Sequence, residues 1–376
     1  MSAKERAINL LSEAGISVNG GNSWDPRIHN ERIYNRIFAS GTLGLGESYM
    51  DGWWEVDDLS GFFLKLFRSG SAVKLLGIGI VGQILKSKLL NLQDSQRAFE
   101  VGKKHYDVGN DLYRSLLDKR MIYSCGYWKN ALNLDDAQEH KLDLICRKIG
   151  LKSGDKILDI GCGWGGFAKF AAEQYGAKVV GITVSKEQKE LAEKSTEGLD
   201  VEIRLQDWRE LTDESYKHIV SIGMFEHVGP KNYRAYMQKV KVLLKEDGLF
   251  LLHTIGHSKT TRNLEPWFHK YIFPNGHLPS MSQISVATDR KWFGESLLIE
   301  EDMHNFGADY DKTLTAWHDN FEASWPEVKG KYDERFHRMW RYYLLVSAGM
   351  FRARYLQLWQ IVYSRRGVVG GYESVR

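Results

Sequence analysis

Short apolar runs alternate with polar stretches of helical spacing between residues 156 and 256. The apolar runs predict strands at 156–160, 177–185, 201–208, 218–229 and 248–255. The stretches between them, such as 185–195 and 232–244, have the apolar spacing of helices. This alternation predicts an α/β fold with a doubly wound, Rossmann-like parallel sheet that binds its ligands at the carboxyl ends of the strands.

Residues before position 72 follow a different pattern, with apolar positions at helical spacing in 4–14 and in 59–67. Between them lies the glycine-rich stretch 41–46, which follows no predicted strand and which we interpret as a loop. Near the C-terminus, LLIEEDMHNFG and LWQIVYSRR predict two further strands, with helices between them. We therefore predict a small, mainly helical N-terminal domain, and the predicted domain limits are 1–85 (helical), 86–104 (linker) and 105–376 (α/β).

The segment 72–92 is apolar with a few lysines, and its uncharged run is too short to span a bilayer. The basic residues around it are Arg68, Lys74, Lys86, Lys88, Arg97, Lys103 and Lys104, against the acidic Asp94 and Glu100. This excess of positive charge favours association with an anionic membrane surface. The alternative interpretation is an amphipathic interdomain linker with solvated lysines.

The composition is ordinary for a globular protein of 376 residues, with 43% hydrophobic and 26% charged positions. A net charge of +3 is too small to indicate a nucleic-acid partner. The three cysteines have neither C-x-x-C pairing nor metal-ligand spacing, so no disulfide framework and no metal site are predicted. Charged residues in the first fifteen positions interrupt any secretory signal, and we expect a cytoplasmic protein.

The sequence KILDIGCGWGG, residues 156–166, has the form D-x-G-x-G after a predicted strand. Gly161 and Gly163 allow a tight turn close to a ligand, and the absence of a P-loop Lys-Ser/Thr favours a nucleoside without phosphates. S-adenosylmethionine meets this description, with Asp159 facing its ammonium or ribose. The alternative is a strand-to-helix turn without a ligand.

Other strand ends supply polar residues to the same edge of the sheet. The second strand ends without an acidic residue for a ribose, so Thr183 and Gln188 are the candidates there. Asp207 and Trp208 follow the third strand and are candidates to bind and stack on an adenine, although a core role for Trp208 is the alternative.

Glu226 lies in the last part of the predicted fourth strand, and His253 lies near the end of the fifth. Both side chains are therefore expected at one rim of the sheet. A carboxylate beside an imidazole can remove a proton or hold the group that does. The alternative is that each is a structural polar group.

Many ordered motifs resemble those of the bacterial cyclopropane-fatty-acyl-phospholipid synthases. They are GTLGLGESYMDGWW, YSCGYW, LDIGCGWGG, GITVSKEQ, MFEHVGPKNY, LLHTIG, KYIFPNG and NFGADY. The resemblance covers nearly the whole chain and implies a methyltransferase-type sheet. It further implies methylene transfer from S-adenosylmethionine to the cis double bond of a phospholipid acyl chain in the bilayer, by a homodimer associated peripherally with the inner face of the cell membrane.

The resemblance also implies which residues form the site. The positions matching the family's bicarbonate site, where bicarbonate is the base, are Cys125, Glu226, His253, Ile255 and Tyr310. The positions matching its donor pocket are Tyr123, Ser124, Gly161, Gly163, Thr183, Gln188, Asp207 and Trp208. Candidates to stabilise a carbocation by cation-π attraction are Trp267, Tyr271, Phe273 and Tyr310.

Two other functions compete with this interpretation. A methyltransferase acting on a small amine could use a similar Glu-His pair, but it has no need of the N-terminal domain or the basic apolar segment. A non-catalytic lipid-binding protein leaves the paired residues at the strand ends without a role.

Overall fold

The computed structural model describes residues 1–71, 110–212, 215–261, 265–289 and 296–376. In chain order, the elements are α1 (Ala3–Glu13), β1 (Arg27–Ile28), α2 (Arg32–Met50), β2 (Trp54–Glu55), α3 (Leu59–Arg68), α4 (Asn110–Leu116), α5 (Leu134–Lys148), β3 (Lys156–Ile160), α6 (Gly166–Tyr175), β4 (Lys178–Thr183), α7 (Lys186–Ser195), β5 (Val201–Leu205), β6 (Tyr216–Ile222), α8 (Tyr233–Leu243), β7 (Leu244–His257), α9 (Pro266–Tyr271), α10 (Met281–Thr288), β8 (Ile299–Asn305), α11 (Ala308–Val328), α12 (Glu334–Arg352) and β9 (Leu356–Ser364). Short 3-10 helices at Trp208–Glu210 and Phe225–His227 follow β5 and β6.

The main sheet has seven strands in the order β5-β4-β3-β6-β7-β9-β8. Parallel pairing joins β5 to β4, β4 to β3, β3 to β6 and β6 to β7, while β8 runs antiparallel to β9. The predicted doubly wound parallel sheet is confirmed, and its strands begin close to the predicted positions. The predicted fourth strand, 218–229, is too long, because β6 ends at Ile222, Gly223 turns the chain (φ 68°) and Phe225–His227 forms a 3-10 helix. The order reverses at β3, so the crevice for a ligand is expected at its carboxyl end.

Apolar layers cover both faces of this sheet. Ile157 of β3 packs into a cluster with Leu142 of α5 and Phe167 of α6, whereas the adjacent Leu158 packs into a cluster with Tyr236 and Val240 of α8. Successive residues of a strand point to opposite faces, so a strand covered on both sides reads as a continuous apolar run. This is why the apolar runs located the strands in the sequence.

The chain divides into two compact units. The described residues of the helical unit are 1–71, 265–274 and 310–356, and those of the sheet unit are 110–212, 215–261, 275–289, 296–309 and 357–376. These limits differ from the predicted domains, since most of α11 and all of α12 cluster with the N-terminal helices. Glycine at position 349 of α12 allows the close packing of α12 against α3. A Cβ at this position would lie 2.7 Å from the carbonyl oxygen of Ser60 in α3. The predicted linker, 86–104, lies outside the described residues.

The loop predicted at the glycine-rich stretch 41–46 is wrong in extent. The stretch lies within α2, where Gly41 alone has non-helical dihedral angles (φ 57°, ψ −134°) and kinks the helix, while Gly44 and Gly46 are helical. A Cβ at Gly46 would lie 2.4 Å from Cδ1 of Trp267, so glycine here admits the indole of a buried tryptophan in the same unit. The glycines therefore serve helix packing.

Other predicted helices of the helical unit are confirmed. The 4–14 pattern corresponds to α1, which begins with a capping box between Ser2 and Glu5. The 59–67 pattern corresponds to α3, which Asp58 caps by accepting from the N–H of Gly61. None of the helices in the described ranges is long and apolar enough to cross a bilayer, and the apolar segment 72–92 falls outside those ranges.

Candidate active site

The glycine turn joins β3 to α6 at the point where the strand order reverses. Gly161 (φ 84°) donates its N–H to the carbonyl oxygen of Ile182, and a Cβ there would lie 2.7 Å from Cγ of Met224. Gly163 also has positive φ, 54°, but a Cβ there would meet no atom within 4 Å. The space beside the main chain at Gly163 is therefore open, and contact of this main chain with a ligand stays a prediction.

Asp159, at the penultimate position of β3, is only 1% exposed. Neither of its carboxylate oxygens has a hydrogen-bond partner among the described residues. Burial raises the pKa of Asp159 to about 7, and the positive charge of Lys141 opposes this shift. A buried carboxylate that has no partner among the described residues is suited to bind a polar or cationic group of a ligand. The amino group or ribose of S-adenosylmethionine fits this requirement.

Thr183 and Gln188 lie together at the end of β4, the neighbour of β3. The hydroxyl of Thr183 donates to Oε1 of Gln188 over 2.8 Å, and both side chains are buried. Ser185 holds the pair in place by capping α7 through the N–H of Gln188. An amide and a hydroxyl are thus present at the position where many nucleoside pockets have an acid, and the contact of these two residues with a ribose stays a prediction.

Asp207 and Trp208 follow β5, as predicted. The Asp207 carboxylate accepts from the guanidinium of Arg209 over 2.8 Å, and that guanidinium also lies 4.6 Å from the centre of the Trp208 ring. Trp208 packs edge-on against Tyr236, with ring centres 5.1 Å apart. Trp208 is therefore a member of the core, and its contact with an adenine stays a prediction.

Residues of α5 fix the turn that carries Ser124. Gln138 donates to the carbonyl oxygen of Ser124 over 2.8 Å, and the ammonium of Lys141 donates to its hydroxyl over 2.9 Å. Cys125 follows and is fully buried, while the ring of Tyr123 meets that of Tyr113 with centres 5.2 Å apart. The predicted residues 123–125 thus lie in a segment that hydrogen bonds from Gln138 and Lys141 hold in place.

Lys141 and Lys148 were not predicted from the sequence, yet they are two fully buried lysines seven residues apart on α5. Burial lowers the pKa of Lys141 to about 8 and that of Lys148 to about 7. The ammonium of Lys148 lies 3.2 Å from Nδ1 of His304. Their spacing places both lysines on the face of α5 that carries Leu134 and Ile145. This helical spacing with apolar residues is the feature of the sequence that could have indicated their burial.

Glu226 lies in the 3-10 helix after β6 and is 7% exposed. Its Oε1 accepts from the main-chain N–H of Ile255 over 2.6 Å, whereas no residue in the described ranges offers Oε2 a hydrogen bond of normal geometry. Burial raises the pKa of Glu226 to about 7, and the Ile255 N–H and the Thr254 hydroxyl oppose the shift. The N–H of His277 donates to the Glu226 carbonyl oxygen over 2.8 Å, which fixes the backbone.

His253 lies on β7 opposite Ile222 of β6 and is 1% exposed. Its Nδ1 is 3.2 Å from Nε2 of Gln360 on β9, and its own Nε2 has no partner within the part of the chain that the structure describes. Burial, together with Lys141 and Lys148, lowers the pKa of His253 well below its ordinary value. The ring is therefore neutral, with one nitrogen unengaged.

The structure brings Glu226 and Ile255 into direct contact and places His253 two residues before Ile255, on the same strand. Tyr310 belongs to the helical unit, where its ring packs against that of Phe351 at 4.6 Å between centres. The predicted grouping of Tyr310 with the other residues stays a prediction.

The remaining predicted aromatic residues also belong to the helical unit. Trp267 is fully buried and is a core residue of that unit. The hydroxyl of Tyr271 donates to Glu47 over 2.8 Å, and the ring of Phe273 meets that of Tyr343 with centres 5.9 Å apart. Their predicted role in stabilising positive charge stays a prediction.

The strand order, the antiparallel pair at one edge and the glycine turn after β3 define the Rossmann-like fold of S-adenosylmethionine-dependent methyltransferases. The model of the mycolic acid cyclopropane synthetase family matches residues 93–361. The chain belongs to this family of enzymes, and the family resemblance predicted from its motifs is confirmed.

Similar proteins agree with this assignment. The chain is 53% identical over 371 residues to cyclopropane-fatty-acyl-phospholipid synthase of Escherichia coli (strain K12), which covers 98% of this chain and 95% of that protein. Cyclopropane synthase MmaA2 from Mycobacterium tuberculosis aligns with a TM-score of 0.64 and 29% identity over 73% of this chain and 99% of that chain. Mycolic acid cyclopropane synthase CmaA1 complexed with SAH and CTAB aligns with a TM-score of 0.64 and 31% identity, over 70% of this chain and 97% of that chain.

Proposed function

We propose that this protein is a cyclopropane-fatty-acyl-phospholipid synthase. It transfers a methylene group from S-adenosylmethionine to the cis double bond of an unsaturated phospholipid acyl chain, and bound bicarbonate accepts the proton that is lost. The observation that carries the proposal is a pair of buried atoms, Oε2 of Glu226 after β6 and Nε2 of His253 on β7, for which the described residues provide no hydrogen bond of normal geometry, in a chain of this family.

The donor pocket would be formed by the glycine turn and the neighbouring strand ends. Bound there, S-adenosylmethionine supplies an electrophilic methyl group on a sulfonium. Asp159 offers its buried carboxylate to the amino group or ribose, and Gly163 leaves the main chain accessible. Lys141 holds Ser124 at the adjacent turn. We assign Tyr123, Thr183, Gln188, Asp207 and Trp208 to the same pocket.

The acceptor site would be formed by Glu226, His253, the main chain at Ile255 and Cys125. An alkene is a weak nucleophile, so these residues must exclude water while positive charge develops on the acyl chain. A proton must then leave the transferred methyl group for the ring to close. Glu226, whose pKa lies near 7, can accept a hydrogen bond from bicarbonate, while neutral His253 donates one to it.

A phospholipid in the membrane is the proposed substrate. The E. coli relative bears this substrate in its name, and this chain spans 95% of its length. We further propose peripheral association of a cytoplasmic homodimer with the anionic inner face of the membrane, through the basic segment from 68 to 104. Arg68 at its start is the last residue of α3, and 72–104 lies outside the described residues.

The test is an assay of the purified chain with methyl-labelled S-adenosylmethionine and liposomes of monounsaturated phospholipid. Mass spectrometry of the released acyl chains is expected to show a gain of one CH2 and a cyclopropane ring. Liposomes with saturated chains are the matched control and should take up no label. Absence of the ring, with label transferred to soluble amines instead, would support an amine methyltransferase and refute the proposal.

A further inference from the structure

The imidazole of His253 presents its two nitrogens to different surroundings. Nδ1 is 3.2 Å from Nε2 of Gln360, while Nε2 of the ring is buried and meets no hydrogen-bond partner in the described ranges. Both side chains are almost completely buried, at 1% and 0% exposure, so water does not compete for these atoms at the surface. Whatever binds Nε2 must come from the site.

With the Gln360 amide oriented so that its Nε2 faces Nδ1 of His253, the contact assigns the ring proton. An amide nitrogen only donates, so Nδ1 of a neutral His253 that faces it must be the acceptor. The single ring proton then lies on Nε2. The amide belongs to β9, whose residues from 356 to 364 are buried except for Gln357, and its Oε1 has no hydrogen-bond partner among the described residues.

The charges around the ring keep it neutral. Lys141 and Lys148, both buried on α5, add to the effect of burial and hold the pKa of His253 well below its ordinary value. Phe306 covers the ring edge-on, with centres 5.8 Å apart. A neutral ring with its proton on Nε2 offers a donor to the site and no basic nitrogen.

We propose that Gln360 is a positioning residue that holds His253 as the neutral Nε2–H tautomer, so that His253 donates a hydrogen bond to an oxyanion and does not itself remove the substrate proton. This inference rests on the proposed function, because the oxyanion is the bicarbonate assigned to that site. The pair then offers one donor, His253, and one acceptor, Oε2 of Glu226. Together they match an anion that has both a charged oxygen and a hydroxyl, as bicarbonate does.

The first test is spectroscopic and needs no substrate. In protein labelled with 15N at its histidines, two-bond correlations distinguish the Nε2–H from the Nδ1–H tautomer, and His253→Gln identifies the signal among the twelve histidines. The expected result for the wild-type protein is a neutral ring protonated on Nε2. A ring protonated on Nδ1, or a charged ring at pH 7, would overturn the proposal even if cyclopropane is formed.

The second test uses Gln360→Glu, whose carboxylate accepts a hydrogen bond from Nδ1–H and so favours the opposite tautomer. Its spectrum should show Nδ1–H, and its KM for bicarbonate should rise at least about tenfold with an unchanged KM for S-adenosylmethionine, because the donor to the anion is lost. Gln357→Glu, on the same strand, is the control and should behave as wild type. Retention of Nε2–H and of the bicarbonate KM in folded Gln360→Glu would refute the proposal. If no variant or wild-type protein forms a ring, the proposed function fails, while the spectra still decide the tautomer.

Discussion

The main-chain N–H of Ile255 donates to Oε1 of Glu226 over 2.6 Å, which ties the segment after β6 to the end of β7. This bond uses one carboxylate oxygen for structure and leaves the other for chemistry. A glutamine at position 226 keeps the structural acceptor but cannot ionise, so the two roles are separable by one substitution.

Glu226→Gln is therefore expected to lower the rate of ring formation by about 100-fold or more, in the range typical of acid-base groups. The affinity for S-adenosylmethionine, measured by calorimetry, should change by less than about twofold. Loss of donor affinity would place Glu226 in the donor pocket and contradict the assignment. Glu226→Ala, which also loses the bond to Ile255, should in addition be less stable to urea.

Asp159→Asn is expected to weaken S-adenosylmethionine binding by about tenfold or more while stabilising the ligand-free protein at pH 8 by about 1–3 kcal/mol, because it removes a buried negative charge. The pKa of Asp159 is raised from 3.8 to about 7 by folding. Between about pH 4 and 7 the folded state holds a proton that the unfolded state has lost, so stability falls as the pH rises. Urea unfolding across this range measures the slope.

The fall of the free energy of unfolding between about pH 4 and 7 should be smaller in Asp159→Asn than in the wild-type protein. It should be unchanged in the control Asp200→Asn, which is at an exposed position. An unchanged slope in Asp159→Asn would show that the carboxylate is paired in solution. Tighter binding of S-adenosylmethionine by Asp159→Asn would refute the assignment of Asp159 to the donor pocket.

Lys141→Met is expected to lower donor affinity by about tenfold. It removes the hydrogen bond to Ser124 and a buried positive charge that keeps the pKa of Asp159 from rising further. Methionine has a similar length, so the core is largely preserved. Lys152→Met, at an exposed position after α5, is the control. Equal donor affinity in both variants would limit Lys141 to a role in folding.

Gly46→Ala is expected to destabilise the protein by about 1–3 kcal/mol, since the new methyl group would lie 2.4 Å from the Trp267 ring. Gly21→Ala, where a Cβ meets no atom within 4 Å, should have little effect. Urea unfolding followed by tryptophan fluorescence measures both. Equal stability of the two variants would mean that α2 and Trp267 are not packed as described.

Binding to vesicles is expected to depend on the basic residues from 74 to 104. Replacement of Lys74, Lys86 and Lys88 by glutamine should weaken sedimentation with anionic vesicles and leave any binding to neutral vesicles unchanged. Wild-type binding should fall as salt rises from about 0.05 to 0.5 M, because the charges are screened. Vesicle binding that does not change with salt would instead support the interpretation of this segment as an interdomain linker.

The sequence predicted the sheet well because its strands are covered on both faces, so that Ile157 and Leu158 belong to one apolar run while packing in different layers. It could not predict that most of α11 and all of α12 cluster with the N-terminal helices, since contacts such as Gly349 with Ser60 join residues almost 300 positions apart. Polar residues inside the core were also missed. Lysines are usually exposed, so Lys141 and Lys148 did not attract attention, and Gln360 gains its interest only from its contact with His253.

The position of β9 has a consequence for biosynthesis. In the described sheet β9 lies between β7 and β8, although β8 precedes it in the chain. During translation, the parallel strands from β3 to β7 leave the ribosome first, and β8 has no neighbour to pair with until β9 emerges and inserts. A nascent chain that has not yet exposed β9 therefore holds His253 without its amide partner, and such a chain would acquire a correctly oriented imidazole only in the last step of assembling the sheet.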